Sequence, residues 1–313
     1  MKVIFFGTPE YAVPSLRRLT EEHEVVAVVT QPDKPKGRGG AVSCSPVKLF
    51  ALEKKIPVLQ PERARNKSFA ETLSGFRADI FVVTAYGQIL PQRLLSMPRF
   101  GAINEHGSLL PKYRGASPIQ QAIIHGDKVT GVTIMQMDSG IDTGDMLLKK
   151  ELEISDSDTY GTLHDKLALL SAEAIIEVLP MIEQQKIVPI KQDDSLSSYA
   201  PLITKQDAVI DWQKSSGEIV NLIRGMNPSP CAYSHLNGTT VKIWAAVESV
   251  KNSADLSAGT VLCISKSGIE VAAGVGTVLV TGLQAEGSRR MNAFDFANGR
   301  RIASGAKFAS LAD

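Results

Sequence analysis

"KVIFFGTPEYAVPSLRRLTEEHEVVAVVTQ", residues 2–31, encloses a helix-patterned stretch between two short apolar runs. "KVIFFG" (2–7) and "EVVAVVTQ" (24–31) are rich in β-branched and aromatic side chains and read as strands. "AVPSLRRLTEE", between them, repeats its apolar residues at the helical period. Strand, helix and strand in that order form a crossover unit, which places both strands parallel in one sheet. The pattern continues through "ADIFVVTAYG" (78–87), "GAINEH" (101–106) and "GVTIMQM" (131–137), with helical "PVKLFALEKK" and "ASPIQQAIIHG" among them. The expectation is an α/β domain with a mostly parallel sheet covered by helices on both faces, which binds its ligands at the carboxyl ends of the strands.

The 313 residues suffice for two domains of ordinary size. After a long amphipathic helix, "YGTLHDKLALLSAEAIIEVLPMIEQQ" (160–185), the polar "KQDDSLSSYAPLITKQDA" (191–208) reads as a linker. Beyond it, "TVKIWAAVESV", "GTVLCISKSGIEVAAG" and "GTVLVTGLQAEG" are short alternating strands broken by Gly, the mark of a small β-barrel or sandwich. The expected organisation is a catalytic domain over 1–189, a linker over 190–207 and a β-rich domain over 208–313.

Composition excludes several classes. With 34 Lys and Arg against 33 Asp and Glu, the net charge of +1 announces no polyanion binder, so any nucleic acid must be met by a local patch. Cys44, Cys231 and Cys263 are odd in number and far apart, so neither a disulfide framework nor a structural zinc site is expected. The longest apolar runs fall far short of a membrane span, and "MKVIFFGTPE" brings in Pro9 and Glu10 where an export signal would stay apolar. A cytoplasmic protein without membrane partners is expected.

Gly7 is the only glycine of "FFGTPEYAVPSL", too few for a dinucleotide-binding turn, so this stretch is expected to shape a tight strand-to-helix turn. "QPDKPKGRGGAVSCSPVK" (31–48) sets Lys34, Lys36, Arg38 and Lys48 against one anion, Asp33; it is either a solvated loop or a mobile basic segment that closes over an anionic substrate. In "AINEHGSLLPKYRG" (102–115), Asn104 and His106 stand two apart and share one face of a strand. They either cap a sheet edge or converge on a substrate. "MDSGIDTGDM" offers Asp138, Asp142 and Asp145 in a turn, a poor match to a metal loop. If its strand lies beside "INEH", one of the three can reach His106, where a carboxylate orients the imidazole for acid/base work. His23, His125, His164 and His235 stand alone, and no Ser or Cys sits in a nucleophile elbow.

Taken together, "FFGTPEYAVPSL", "QPDKPKGRG", "INEHGSLLPKYRGASPIQ", "TGVTIMQMDSGIDTGDM", "IRGMNPSPCAY" and "LQAEGSRRMNAFDFANG" resemble, in this order, the formyltransferase family that uses 10-formyltetrahydrofolate. The resemblance covers essentially the whole chain. It implies a Rossmann-like catalytic domain, a C-terminal barrel resembling an oligonucleotide-binding fold, and a catalytic set of Asn104, His106 and Asp142. It places the folate along Ser108, Leu109, Leu110 and Pro111 and along Tyr86, Gly87, Gln88, Ile89 and Leu90. It further implies initiator Met-tRNA as the formyl acceptor, met by the basic loop with Lys34, Lys36, Arg38 and Lys48, and a monomer that needs no metal. The methionine amine then attacks the formyl carbon directly, Asn104 and His106 stabilise the oxyanion, and Asp142 supports His106. Glu105, on the other face, is expected to be structural. The C-terminal domain, with ten Lys and Arg against eight Asp and Glu from residue 208 on, signals RNA only faintly, through cations such as Arg224, Arg289, Arg290, Arg300 and Arg301. Transfer to a small amine, hydrolysis of the formyl donor, and RNA binding on a retired enzyme scaffold are the alternatives.

Overall fold

A computed structural model of the chain describes residues 1–36, 41–249 and 257–309. By contact the chain divides into two units. The first comprises Met1–Gly115, Val129–Glu153 and His164–Ala200, and the second Ala116–Lys128, Ile154–Leu163 and Pro201–Asp313.

The first unit is built on a seven-stranded sheet. Its strands are β1 (Lys2–Gly7), β2 (Glu24–Val29), β3 (Val58–Leu59), β4 (Ile80–Thr84), β5 (Ala102–His106), β6 (Val129–Gln136) and β7 (Met146–Glu153). They lie in the order β7-β6-β5-β4-β1-β2-β3, with β3, β2, β1, β4 and β5 all parallel. β6 runs antiparallel to both β5 and β7. Val3, Ile4, Phe5 and Phe6 of β1 are fully buried, as a central strand covered on both faces requires. Helix α1 (Val13–Glu22) carries the chain from β1 to β2, and α2 (Pro46–Glu53) follows β2. β7, absent from the sequence-based expectation, alternates buried or half-buried with exposed charged positions and closes the sheet edge, where charged side chains discourage further pairing.

The chain leaves β1 toward β2 and later returns to β4 on the other side of β1, so the strand order reverses between β1 and β4. A crevice at the carboxyl ends of those two strands follows from this topology. Polar ties fix its floor. Thr8 Oγ1 donates to the Tyr86 carbonyl at 3.0 Å and accepts from the Gln31 N–H at 3.3 Å, while Gln31 Nε2 donates to the same Tyr86 carbonyl at 3.1 Å. At Gly7 a Cβ would lie 2.6 Å from a Phe5 ring carbon and 2.9 Å from Ala12 Cβ, so glycine here serves close packing of the turn onto its own strand.

The second unit carries an antiparallel sheet of β8 (Tyr233–Leu236), β9 (Thr239–Ser249), β10 (Val261–Ser265), β11 (Gly268–Ala272), β12 (Thr277–Ala285), β13 (Met291–Asn292) and β14 (Phe308–Ala309). Its order is β10-β11-β12-β9-β8-β14, with β13 paired to β12. Just before the two edge strands, Thr260 bridges Lys307, and Phe308 N–H donates to the Gly259 carbonyl at 2.8 Å, so the curled sheet closes on itself. The barrel core holds Trp212, Ile219, Ile243, Val280, Phe296 and Phe308. Pro118–Ile124, which the sequence places among the crossover helices, belongs with this second unit.

Candidate active site

β5 presents its residues alternately to the two faces of the sheet. On one face Ser15, from α1, donates its hydroxyl to Glu105 Oε2 at 2.6 Å, and Glu105 is 4% exposed. Burial pushes the Glu105 carboxyl up to about 8, against the pull of the Ser15 hydroxyl. On the other face stand Asn104, half-buried, and His106, buried.

The loop after β5 is bound to that face. His106 Nε2 lies 2.8 Å from the Tyr113 carbonyl. A carbonyl can only accept, so Nε2 carries a proton and the second nitrogen, Nδ1, is left for chemistry. Nδ1 lies 3.5 Å from Asp142 Oδ2. The same carboxylate oxygen accepts the Gly115 N–H at 2.8 Å. Gly115 is at φ +113°, and a Cβ there would lie 2.7 Å from the Ala200 carbonyl, so only glycine lets Tyr199–Ala200 pair alongside Arg114–Gly115.

Of the three aspartates in the turn before β7, the one brought to His106 is Asp142. Asp138 closes the turn instead, accepting from Gly140 N–H at 2.9 Å and Thr143 Oγ1 at 2.7 Å, and Asp145 is exposed. Asn104 pairs with Met135 across β6, and among the described residues its carboxamide has no hydrogen-bond partner within the protein. A half-buried amide with free donors beside an imidazole–carboxylate pair can address a carbonyl oxygen as charge develops on it.

The expected folate segments flank this set. Thr133, opposite His106 on β6, donates to the Ser108 carbonyl at 2.7 Å and accepts from Leu110 N–H at 3.0 Å, and Ser108 Oγ donates to the Lys112 carbonyl at 2.6 Å. Ser108 and Leu110 are thus buried and fixed, while Leu109 and Pro111 remain partly open. In the loop after β4, Tyr86 and Leu90 point into the core and Ile89 is 80% exposed. The Tyr86 hydroxyl is pushed up to about 12 by burial. Gln88 holds the neighbouring loop, accepting from Ala64 N–H at 2.8 Å and donating to the Pro61 carbonyl at 3.2 Å, and Gly87 is at φ +86°. Of this loop's side chains Ile89 is exposed, whereas Tyr86 and Leu90 are buried and Gln88 is hydrogen-bonded to the neighbouring segment.

The basic segment divides. Lys34–Lys36 and Ala41–Ser43 form a two-stranded hairpin with Lys34 exposed, whereas Arg38 lies outside the described residues. Lys48 sits apart from it on α2, its ammonium paired to Asp33 and 2.7 Å from Gln60 Oε1. The Lys48 hydrogen bond holds the Asp33 carboxyl below the usual range, with Gln60 adding to it, and Asp33 in turn raises Lys48. Lys48 therefore secures the root of the hairpin through Asp33. Arg224, in the second unit, is likewise committed: it donates to the Asp158 and Ser155 carbonyls at 2.8 and 2.7 Å.

Two residues of the site went unmarked in the sequence. Gly115, within "YRGAS", supplies the N–H to Asp142, and Gln192, from the stretch expected as a linker, holds the Asp142 and Gly144 carbonyls. That stretch is built into the first unit as far as Ala200, which is fully buried.

Comparison with known proteins points the same way as this geometry. Residues 1–179 match the family described as "Formyl transferase" and residues 202–301 match "Formyl transferase, C-terminal domain". The chain is 47% identical, over 97% of its length and 98% of the relative's, to the methionyl-tRNA formyltransferase of Acetivibrio thermocellus. Among solved structures it resembles WlaRD, a sugar 3N-formyl transferase, with a TM-score of 0.67 and 21% identity over 92% of this chain and 99% of that one. It also resembles HypX from Aquifex aeolicus (TM-score 0.65, 16% identity, 97% of this chain), of which it spans about half the length, 48%. The two structural likenesses establish the fold.

Proposed function

The chain belongs to the formyltransferase family, and from that premise we propose that it formylates Met-tRNA, moving the formyl group of 10-formyltetrahydrofolate to the methionine α-amino group and releasing tetrahydrofolate. The acceptor is the initiator species, and the enzyme acts as a cytoplasmic monomer. The observation that carries the reading is the convergence, at the carboxyl end of β5, of the half-buried Asn104 amide with a His106–Asp142 pair 3.5 Å apart, in a chain with near full-length relatives that carry this name.

The formyl donor is a co-substrate, and the site's donor set fits it. An amide donor is free for the formyl oxygen, and the partly open Leu109 and Pro111 with the exposed Ile89 give apolar surface beside fixed backbone. The methionine amine, with a reference pKa near 8, has a useful neutral fraction at physiological pH. Its lone pair attacks the formyl carbon as the carbonyl π electrons move to oxygen. Asn104 Nδ2–H donates to that oxygen, and a protonated Nδ1 of His106 adds a second donor while Asp142 offsets its charge. His106 Nδ1 gives its proton to the folate nitrogen as that C–N bond breaks, and the proton lost by the attacking amine passes to Nδ1, which restores it. Lys34, Lys36 and Arg38 of the basic segment meet the tRNA backbone, and Lys48 holds the hairpin's base on Asp33.

Formyl transfer from 10-formyltetrahydrofolate to Met-charged initiator tRNA, run beside free methionine, tests this. Transfer to the charged tRNA alone is expected. Equal transfer to free methionine or to a small amine would overturn the acceptor, and folate turnover without formylated product would make the enzyme a hydrolase.

A further inference from the structure

Gln192 belongs to a polar stretch of the chain, yet it is only 5% exposed. A buried primary amide must satisfy two donor hydrogens and an acceptor oxygen. Nε2 donates to the Asp142 carbonyl and to the Gly144 carbonyl, both at 2.8 Å, and Oε1 accepts from Arg114 Nε at 3.0 Å. The orientation is forced, because carbonyls cannot donate and a guanidinium cannot accept. Arg114 is itself anchored to Asp194 at 2.7 Å, two residues beyond Gln192. Two residues before it, Ile190 and Met146 exchange backbone hydrogen bonds of 2.8 and 2.9 Å.

The turn so clasped carries Asp142, whose φ of +54° is a left-handed conformation that a non-glycine residue holds only when its surroundings impose it. On this geometry we infer that Gln192 is a positioning residue for formyl transfer. Its amide locks the Asp142 backbone in the turn that delivers the carboxylate to His106 Nδ1 and the Gly115 N–H. The inference rests on the formyltransferase reading. Gln192 touches no reacting atom, and its effect passes through Asp142.

The test is steady-state and single-turnover transfer by the full chain carrying Gln192→Glu, which keeps side-chain length and the acceptor for Arg114 but has no N–H for the two carbonyls. Gln192→Leu, which adds no charge, is the second variant, and both are melted beside the wild type. A turn displaced by about 1 Å is expected to lower kcat by about 100-fold, with KM for the formyl donor and for Met-tRNA within about twofold. In an Asp142→Asn background the same substitution is expected to lower kcat by no more than about twofold, because both changes remove one function. Folded variants that lose melting temperature while keeping kcat would overturn the inference, as would equal losses in the two backgrounds. An inactive wild type would overturn the functional reading and this inference with it, whereas an active wild type with unimpaired variants overturns this inference alone.

Discussion

The two faces of β5 carry ionisable groups one residue apart and use them in opposite ways. Glu105 is buried against α1, 2.6 Å from the Ser15 hydroxyl, and burial pushes its carboxyl up to about 8, against the Ser15 and Thr84 hydroxyls. His106 is almost as buried, 5% exposed, but both ring nitrogens face polar atoms: the Tyr113 carbonyl on one side and the Asp142 carboxylate on the other. Burial alone does not make a site. What separates the faces is that one holds an imidazole–carboxylate pair with the half-buried Asn104 amide on the same side of the strand.

The comparison breaks if removing the reactive face leaves chemistry intact. Asn104→Ala is expected to lower kcat by about 100- to 1,000-fold, the usual loss for one oxyanion donor, and single-turnover transfer reads it. Asp142→Asn keeps the shape but removes the charge beside Nδ1, with an expected loss of about 100-fold in kcat and little change in KM. Lys34→Ala, away from β5, is expected to raise KM for Met-tRNA by only about two- to fivefold, an effect that shrinks as salt is raised, because one phosphate contact is lost.

The structural face is sharpened by pH. The folded Glu105 pKa of about 8 lies above its ordinary value of 4.5, so the folded state keeps this proton longer than the unfolded chain. Its contribution to stability is fully present below 4.5 and is lost as the pH rises through about 8. Glu105→Gln stays neutral at every pH and can still accept from Ser15. Thermal melts are expected to show this variant about 2–6 °C more stable than wild type at pH 8 and nearly equal to it at pH 4.5. A gap that is the same at both pH values would contradict a buried, protonated Glu105.

Much of this arrangement was legible in the sequence because it is local. Period-two spacing put Asn104 and His106 on one face and Glu105 on the other, and apolar runs marked the parallel strands. The remainder depends on pairing at long range. Spacing alone leaves three aspartates open, and only the family resemblance singles out Asp142, because its approach to His106 follows from the turn between β6 and β7; β7 itself hid among the charges of "LKKELE". Gln192 was unreadable for the same reason: in sequence it sits in a run of Asp and Ser, and only in space does it meet Asp142, fifty residues away. That Lys48 pairs with Asp33, fifteen residues earlier, is likewise a contact that only the fold supplies.

The central claim, that one face of β5 reacts and the other only supports, is tested most directly by single-turnover formyl transfer to Met-tRNA with wild type, His106→Ala and Glu105→Gln prepared side by side. The expected result is a loss of about 1,000-fold for His106→Ala and a rate within about twofold of wild type for Glu105→Gln at pH 7. Comparable losses in both variants, with both folded, would contradict it.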